Sequence, residues 1–206
     1  MKHIDYTKES DQTYWDELAE SGNTYQHGHT KHRQKILDLI KKSNVKSMLD
    51  VGCGTGPVYW LTKDIDVKYK GVDYSKGFIS IAKRNFSEGD FEVQDARKLK
   101  EKDNSWDLVL LMHTLDHIDD WKAALREAKR VSSRLVMIIL WRSFTMSEDW
   151  IHQTVMNDTL YKDTFLTEFR KRDIEGEFAK IGLKNLDRGE IINDDNKYNY
   201  YYTLLI

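Results

Sequence analysis

Residues 47–61 read SMLDVGCGTGPVYWL: an apolar run, then Gly52, Gly54 and Gly56 at alternate positions, then a second apolar run from Val58. Without side chains, glycines at this spacing let the backbone turn sharply and come close to a ligand, as they do between a strand and the helix after it. The start of such a helix offers unpaired N–H groups to an acceptor. The stretch therefore predicts a strand, a ligand-facing turn and a helix.

The same alternation extends on both sides. Upstream, Ile36, Leu37, Leu39 and Ile40 share one face of a helix predicted over Thr30 to Lys42. Downstream, Tyr69 to Asp73 reads as a second strand, Lys76 to Asn85 as a helix with Phe78, Ile79 and Ala82 inward, and Phe91 to Val93 as a third strand. Asp107 to Met112 (DLVLLM) is apolar after its first residue, which suits a parallel strand covered on both faces. A helix from about Asp120 carries Trp121, Ala124, Leu125, Ala128 and Val131 at helical spacing, and RLVMIILW from Arg134 is the next buried strand. Strands alternating with helices specify an open, doubly wound, mostly parallel α/β sheet. The end departs from that rule: a helix over Arg172 to Ile181 precedes a run from Leu183 to Ile192, the polar turn at Asn193, and KYNYYYTLLI. Two alternating runs around a polar turn form an antiparallel hairpin, which brings the strand count to seven.

Composition excludes several classes. The chain has 206 residues, 40% hydrophobic and 32% charged, with 32 basic and 34 acidic side chains and a formal charge of -2. That balance argues against a disordered chain and against a cationic nucleic-acid clamp. The single cysteine, Cys53, makes neither an internal disulfide nor a cysteine-based zinc site, so a reducing cytoplasm is the expected compartment. The start MKHIDYTKES lacks the apolar stretch of a signal peptide, and no run approaches the ~20 apolar residues of a membrane span. One proline and 11 glycines leave little material for a flexible linker.

The glycine turn and Asp73 together suit a nucleoside, since an acid at the end of the second strand takes both hydroxyls of a ribose. The dinucleotide fingerprint G-x-G-x-x-G needs a glycine where Pro57 stands, and Tyr59 and Lys63, which have the Y-x-x-x-K spacing of short-chain dehydrogenases, lie on the first helix after the turn, too early for a catalytic pair. Instead, Asp50-Val-Gly52-Cys-Gly54-Thr-Gly56 resembles the first motif of the class I S-adenosylmethionine-dependent methyltransferases, and Gly71-Val-Asp73-Tyr-Ser75 and Val93-Gln-Asp95-Ala96 resemble the motifs after it. The resemblance runs from about Ser43 to the C-terminus. It implies a single Rossmann-like sheet with the last strand inserted antiparallel beside the fifth. It also implies that Asp50, Gly52, Gly54 and Gly56 surround the methionyl part of S-adenosylmethionine, with Asp73 on ribose, Asp95 and Ala96 on adenine, and Tyr74 beside the base. His113 would contribute mainly its backbone. S-adenosylhomocysteine would be the product.

The acceptor side is less sharply drawn. His113, Asp116 and His117 in HTLDHIDDW resemble the H-x-L-E-H run of small-molecule methyltransferases, which makes His117 a candidate base; packing against or capping the next helix is the alternative. A metal site from these three with His152 is not expected, because the similar run of small-RNA methyltransferases carries an acid where His113 stands. Residues 1–42 are expected to be an N-terminal helical lid or cap, with Trp15, Tyr25, His27, His29 and His32 in it, or else a helix packed on the sheet edge. Residues 43–206 are the catalytic domain, in which 143–167 is an acceptor-side insertion where Trp150, His152 and Tyr161 line a substrate pocket together with Tyr25. No cytosine-C5 nucleophile or amino-DNA motif is present, so the expected partner is a small molecule, with neither nucleic acid nor membrane. The competing non-enzyme reading is an inactive S-adenosylmethionine-binding partner or regulatory subunit.

Overall fold

Apolar residues that follow one another along β-strands must point to opposite faces of a sheet, so a continuous run is satisfied only if both faces are covered. In a computed structural model, which describes residues 16–17, 19–20, 30–140, 152–156, 164–192 and 198–206, that is what the central strands do. The strands are β1 (Ser47–Val51), β2 (Lys68–Asp73), β3 (Phe91–Val93), β4 (Trp106–Met112), β5 (Ser132–Leu140), β6 (His152–Met156), β7 (Thr164–Glu168), β8 (Lys184–Ile192) and β9 (Tyr198–Leu205). The helices are α1 (Thr30–Ser43), α2 (Pro57–Thr62), α3 (Lys76–Asn85), α4 (Trp121–Val131) and α5 (Lys171–Lys180).

The main sheet has seven strands in the order β3-β2-β1-β4-β5-β9-β8. All pairs from β3 to β5 are parallel, and β9 enters antiparallel beside β5, with Ile138 opposite Tyr202. The expected doubly wound sheet with an antiparallel C-terminal hairpin is thus the observed one. Leu49, Val109, Leu111, Val136 and Ile138 face one cluster that includes Trp121 and Leu125 of α4 and Ile174 and Phe178 of α5. Met48, Leu108, Leu110, Met137 and Ile139 face the other, with Ile36 and Ile40 of α1, Val58 of α2 and Ile79 of α3. Tyr201 and Tyr202 fall on opposite faces of β9 and carry their hydroxyls out to Asp187 and Glu175, at 3.3 and 3.2 Å. A buried tyrosine is tolerated when its hydroxyl finds such a partner.

Helix starts are set locally. Ser75 caps α3 by accepting from Phe78 N at 3.1 Å, and Asp120 caps α4 by accepting from Ala123 N at 3.1 Å. Pro57 opens α2, where its missing N–H costs nothing. Residues 16–17 and 19–20 are helical and lie against α3: Asp16 Oδ1 accepts from Ser75 Oγ at 2.5 Å and from Gly77 N at 2.9 Å, and Ala19 is buried.

One element was not legible in advance. Within 143–167, β6 pairs antiparallel with β7, His152 opposite Glu168 and Met156 opposite Thr164. β7 lies against a 3-10 turn, Leu115–His117, that follows β4.

Candidate functional site

The turn after β1 is held from below. Gly52 N and Cys53 N both donate to Val72 O of β2, at 2.8 and 3.0 Å, and Gly56 N closes the turn on Cys53 O. Gly52 and Gly54 have φ of +79° and +54°, a region open to glycine at little cost. They are needed for different reasons. A Cβ on Gly52 would collide with the Thr114 side chain, whereas one on Gly54 would meet no protein atom within 4 Å. Gly54 is therefore bare toward open space, and that space is the cleft.

The cleft opens at the C-terminal ends of β1, β2, β3 and β4, where ligands bind in open α/β sheets. Gly52, Gly54, Asp73, Tyr74, Asp95, Ala96, His113 and His117 all line it. Asp73, at the end of β2, accepts from Gly54 N at 2.8 Å through Oδ2 and from Ser75 N at 2.9 Å through Oδ1. Burial pushes its carboxyl up to about 6, although those two N–H groups pull it down; the Asp16 carboxylate adds to the rise. Asp95 accepts from Arg97 on both oxygens, and Arg97 Nη1 reaches Asp119 Oδ1 at 2.7 Å.

Two expected residues stand back from the cleft. Asp50 is buried under the turn, where its Oδ2 accepts from Tyr69 Oη at 2.8 Å. Burial raises its carboxyl to about 7, against the pull of Tyr69 and with a further push from Asp73. Gly56 faces Phe86 and Phe91, part of an aromatic group with Tyr59 and Tyr69. Cys53 is buried beside them, its thiol raised well above the usual value by burial and by the charges of Asp73 and Asp50.

After β4 the chain turns abruptly. His113 has φ of +54°, uncommon for a residue with a Cβ, and its N–H donates to Ile139 O at 2.8 Å. Thr114 Oγ1 lies 2.9 Å from Val51 O and 3.1 Å from Met112 O, so one hydroxyl ties the ends of β1 and β4 together. His117 then sits in the 3-10 turn and Asp116 is buried. His113 is outside that turn, so His113, Asp116 and His117 do not share one turn of helix. Among the described residues no three acidic, histidine or cysteine side chains are placed to hold a metal.

Tyr25, Trp150 and Tyr161 lie outside the described residues, as do Trp15, His27 and His29; His152 opens β6 and His32 belongs to α1, and of their side chains nothing is described. Arg97, Thr114 and Asp119 line the cleft without having been singled out from sequence, and Phe78, expected inward on α3, is half-buried and lines it too. Only Arg97 left a signal, as the residue after Asp95-Ala96.

A family model described as a methyltransferase domain matches residues 49–139, from within β1 almost to the end of β5. The demethylmenaquinone methyltransferase of Thermotoga maritima is 31% identical over 113 residues, covering 54% of this chain and 49% of the relative. The chain spans about half the length of the curated relatives it matches. Among solved structures, magnesium protoporphyrin IX methyltransferase from Synechocystis PCC 6803 with bound SAM superposes with a TM-score of 0.72 at 15% identity, over 100% of this chain and 99% of that one. The [4+2]-cyclase SpnF gives 0.75 at 17%, over 97% and 96%. At such identities the likeness is one of fold, and the cyclase shows that the fold hosts more than one chemistry. The family match covers the strands and turns that build the cleft, so over residues 49–139 the chain is similar to a methyltransferase domain.

Proposed function

We propose that the protein transfers a methyl group from S-adenosylmethionine to an oxygen or nitrogen of a small molecule. The observation that carries this reading is the cleft itself, where the bare backbone of Gly54, the half-buried carboxylate of Asp73 and the imidazole of His117 line one space at the strand ends. The residues fit the cofactor. A Cβ at Gly54 would fill space that the protein leaves open, and two backbone donors, Gly54 N and Ser75 N, hold the Asp73 carboxylate in place at the edge of that space. When bound, S-adenosylmethionine supplies a methyl group on a sulfonium, whose leaving group needs no further activation.

The chain's own residues then bind, orient and exclude water. Asp73 takes the ribose hydroxyls, Asp95 and Ala96 take the base with Tyr74 beside it, and the backbone at His113 faces the amino end. His117 accepts the proton of an acceptor hydroxyl or amine at an imidazole nitrogen, and alignment and desolvation supply most of the rate. Residues 143–167 form the acceptor side; the lie of β7 against the turn carrying His117 supports that placement. The segment before α1 acts as the cap, supported by the contact of Asp16 with the start of α3, whereas α1 packs on the sheet through Ile36 and Ile40. Among the described residues no helix is long and apolar enough to cross a membrane. Transfer of labelled methyl from S-adenosylmethionine to a panel of small hydroxyl and amine compounds tests the reading. Calorimetry showing affinity for NADH and none for the methyl donor or its product would end it.

A further inference from the structure

We infer that Arg97 fixes the base specificity of the cleft by locking Asp95 as a pure hydrogen-bond acceptor, so that a 6-aminopurine is selected over a 6-oxopurine. This rests on the cofactor reading above. Arg97 Nε donates to Asp95 Oδ1 at 2.9 Å and Nη2 to Oδ2 at 3.1 Å, while the Arg97 backbone N–H also reaches Oδ1 at 2.9 Å. The third guanidinium nitrogen, Nη1, is tied to Asp119 Oδ1 at 2.7 Å. The backbone of the loop is pinned as well, with Lys98 N donating to Asp95 O at 2.9 Å. Asp95, Arg97 and Asp119 line the same cleft, so the guanidinium is a strut between the loop after β3 and the segment after the Leu115–His117 turn. The Arg97 and Asp95 side chains are 15% and 23% exposed, and the Asp119 end is the wetter one, at 50%.

The chemistry follows from the fork. A guanidinium that spans both oxygens matches an ionised carboxylate in plane and charge. Such a carboxylate accepts hydrogen bonds and donates none. A base that turns an amino group toward Asp95 pairs with it. A base that turns a carbonyl oxygen there sets acceptor against acceptor, and a site built for a donor rejects an analogue lacking it. Without the guanidinium only the backbone N–H at Oδ1 remains, Oδ2 is released to carry a proton and donate, and the distinction fades. Arg97 is thus a positioning residue that acts through Asp95.

The experiment compares the affinities of S-adenosylhomocysteine and its deaminated counterpart, S-inosylhomocysteine, for the full chain and its variants by calorimetry. The wild-type protein should prefer the adenine compound by about a hundredfold or more, and Arg97→Ala should cut that preference by about tenfold, mostly through weaker adenine binding. Arg97→Lys, which keeps the charge and loses the fork, should fall between them. A wild-type protein that binds neither compound overturns the cofactor reading and this inference together. A wild-type protein that binds the adenine compound while Arg97→Ala retains its full preference, or binds that compound more tightly, overturns this inference alone, since Arg97 would then be idle or a competitor for Asp95. If Arg97→Ala does not fold, an undiminished preference in Arg97→Lys is the overturning result.

Discussion

Gly52 and Gly54 stand two positions apart in one turn, yet they answer to different forces. At Gly52 a methyl group would meet Thr114, the residue that ties β1 to β4, so Gly52→Ala should lower stability by about 1 to 3 kcal/mol as an overpacked site does. At Gly54 the only folding cost is the left-handed backbone, about 1 to 2 kcal/mol, but the added methyl points into the open cleft. Gly54→Ala should therefore abolish binding of S-adenosylhomocysteine in a protein that still melts cooperatively; unchanged affinity there would remove the turn from the cofactor site. His117 sits across the cleft. As a base, its replacement by alanine should reduce turnover of an authentic acceptor by about a hundredfold or more and leave product affinity nearly intact. Turnover unchanged across the pH range would leave alignment and desolvation as the whole mechanism.

Among the elements, the helices and strands of the main sheet were legible because two-sided burial leaves long apolar runs and because Ser75 and Asp120 mark helix starts in the sequence itself. Asp73 was legible too, by its place at a strand end, and Asp95 through the resemblance of Val93-Gln-Asp95-Ala96 to a family motif. Arg97–Asp119 and Thr114–Val51 were not, because these pairs join residues 22 and 63 positions apart and such contacts leave no local pattern. The β6–β7 hairpin was hidden for another reason: HQTVM and TFLTE are too short, and too mixed in polar and apolar residues, to show a period. The segment before α1 touches the main fold through Asp16, which accepts from the first residues of α3 next to Asp73. Ligand that engages Asp73 should steady this junction. Hydrogen exchange at residues 16–20 and at the start of α3 is then expected to slow when S-adenosylhomocysteine saturates the protein. Equal exchange in the free and saturated protein would separate the N-terminal segment from cofactor binding.

For the whole molecule, the carboxyl of Asp50 links the glycine turn to stability. Its folded value of about 7 lies above that of an unfolded aspartate, so its stabilising contribution is full below about pH 4 and is lost as pH rises through 7. The displacement corresponds to about 4 kcal/mol, the cost of ionising the group where it is buried. Asp50→Asn should therefore gain stability relative to the wild type between pH 5 and 8 in urea titrations. Tyr69→Phe, which removes the donor to Asp50, should lose more at pH 8 than at pH 5, by about 1 to 3 kcal/mol. A difference that stays flat over this range would mean that Asp50 does not titrate there. Close to Asp50 lies the chain's one thiol, buried in the turn after β1 and poor in thiolate. The folded protein is in effect blank to maleimides and other alkylating dyes. A cysteine introduced at any surface position would take the label alone, so paired fluorophores or spin labels can track residues 16–20 and the β6–β7 hairpin without first removing Cys53 from the turn it helps to build.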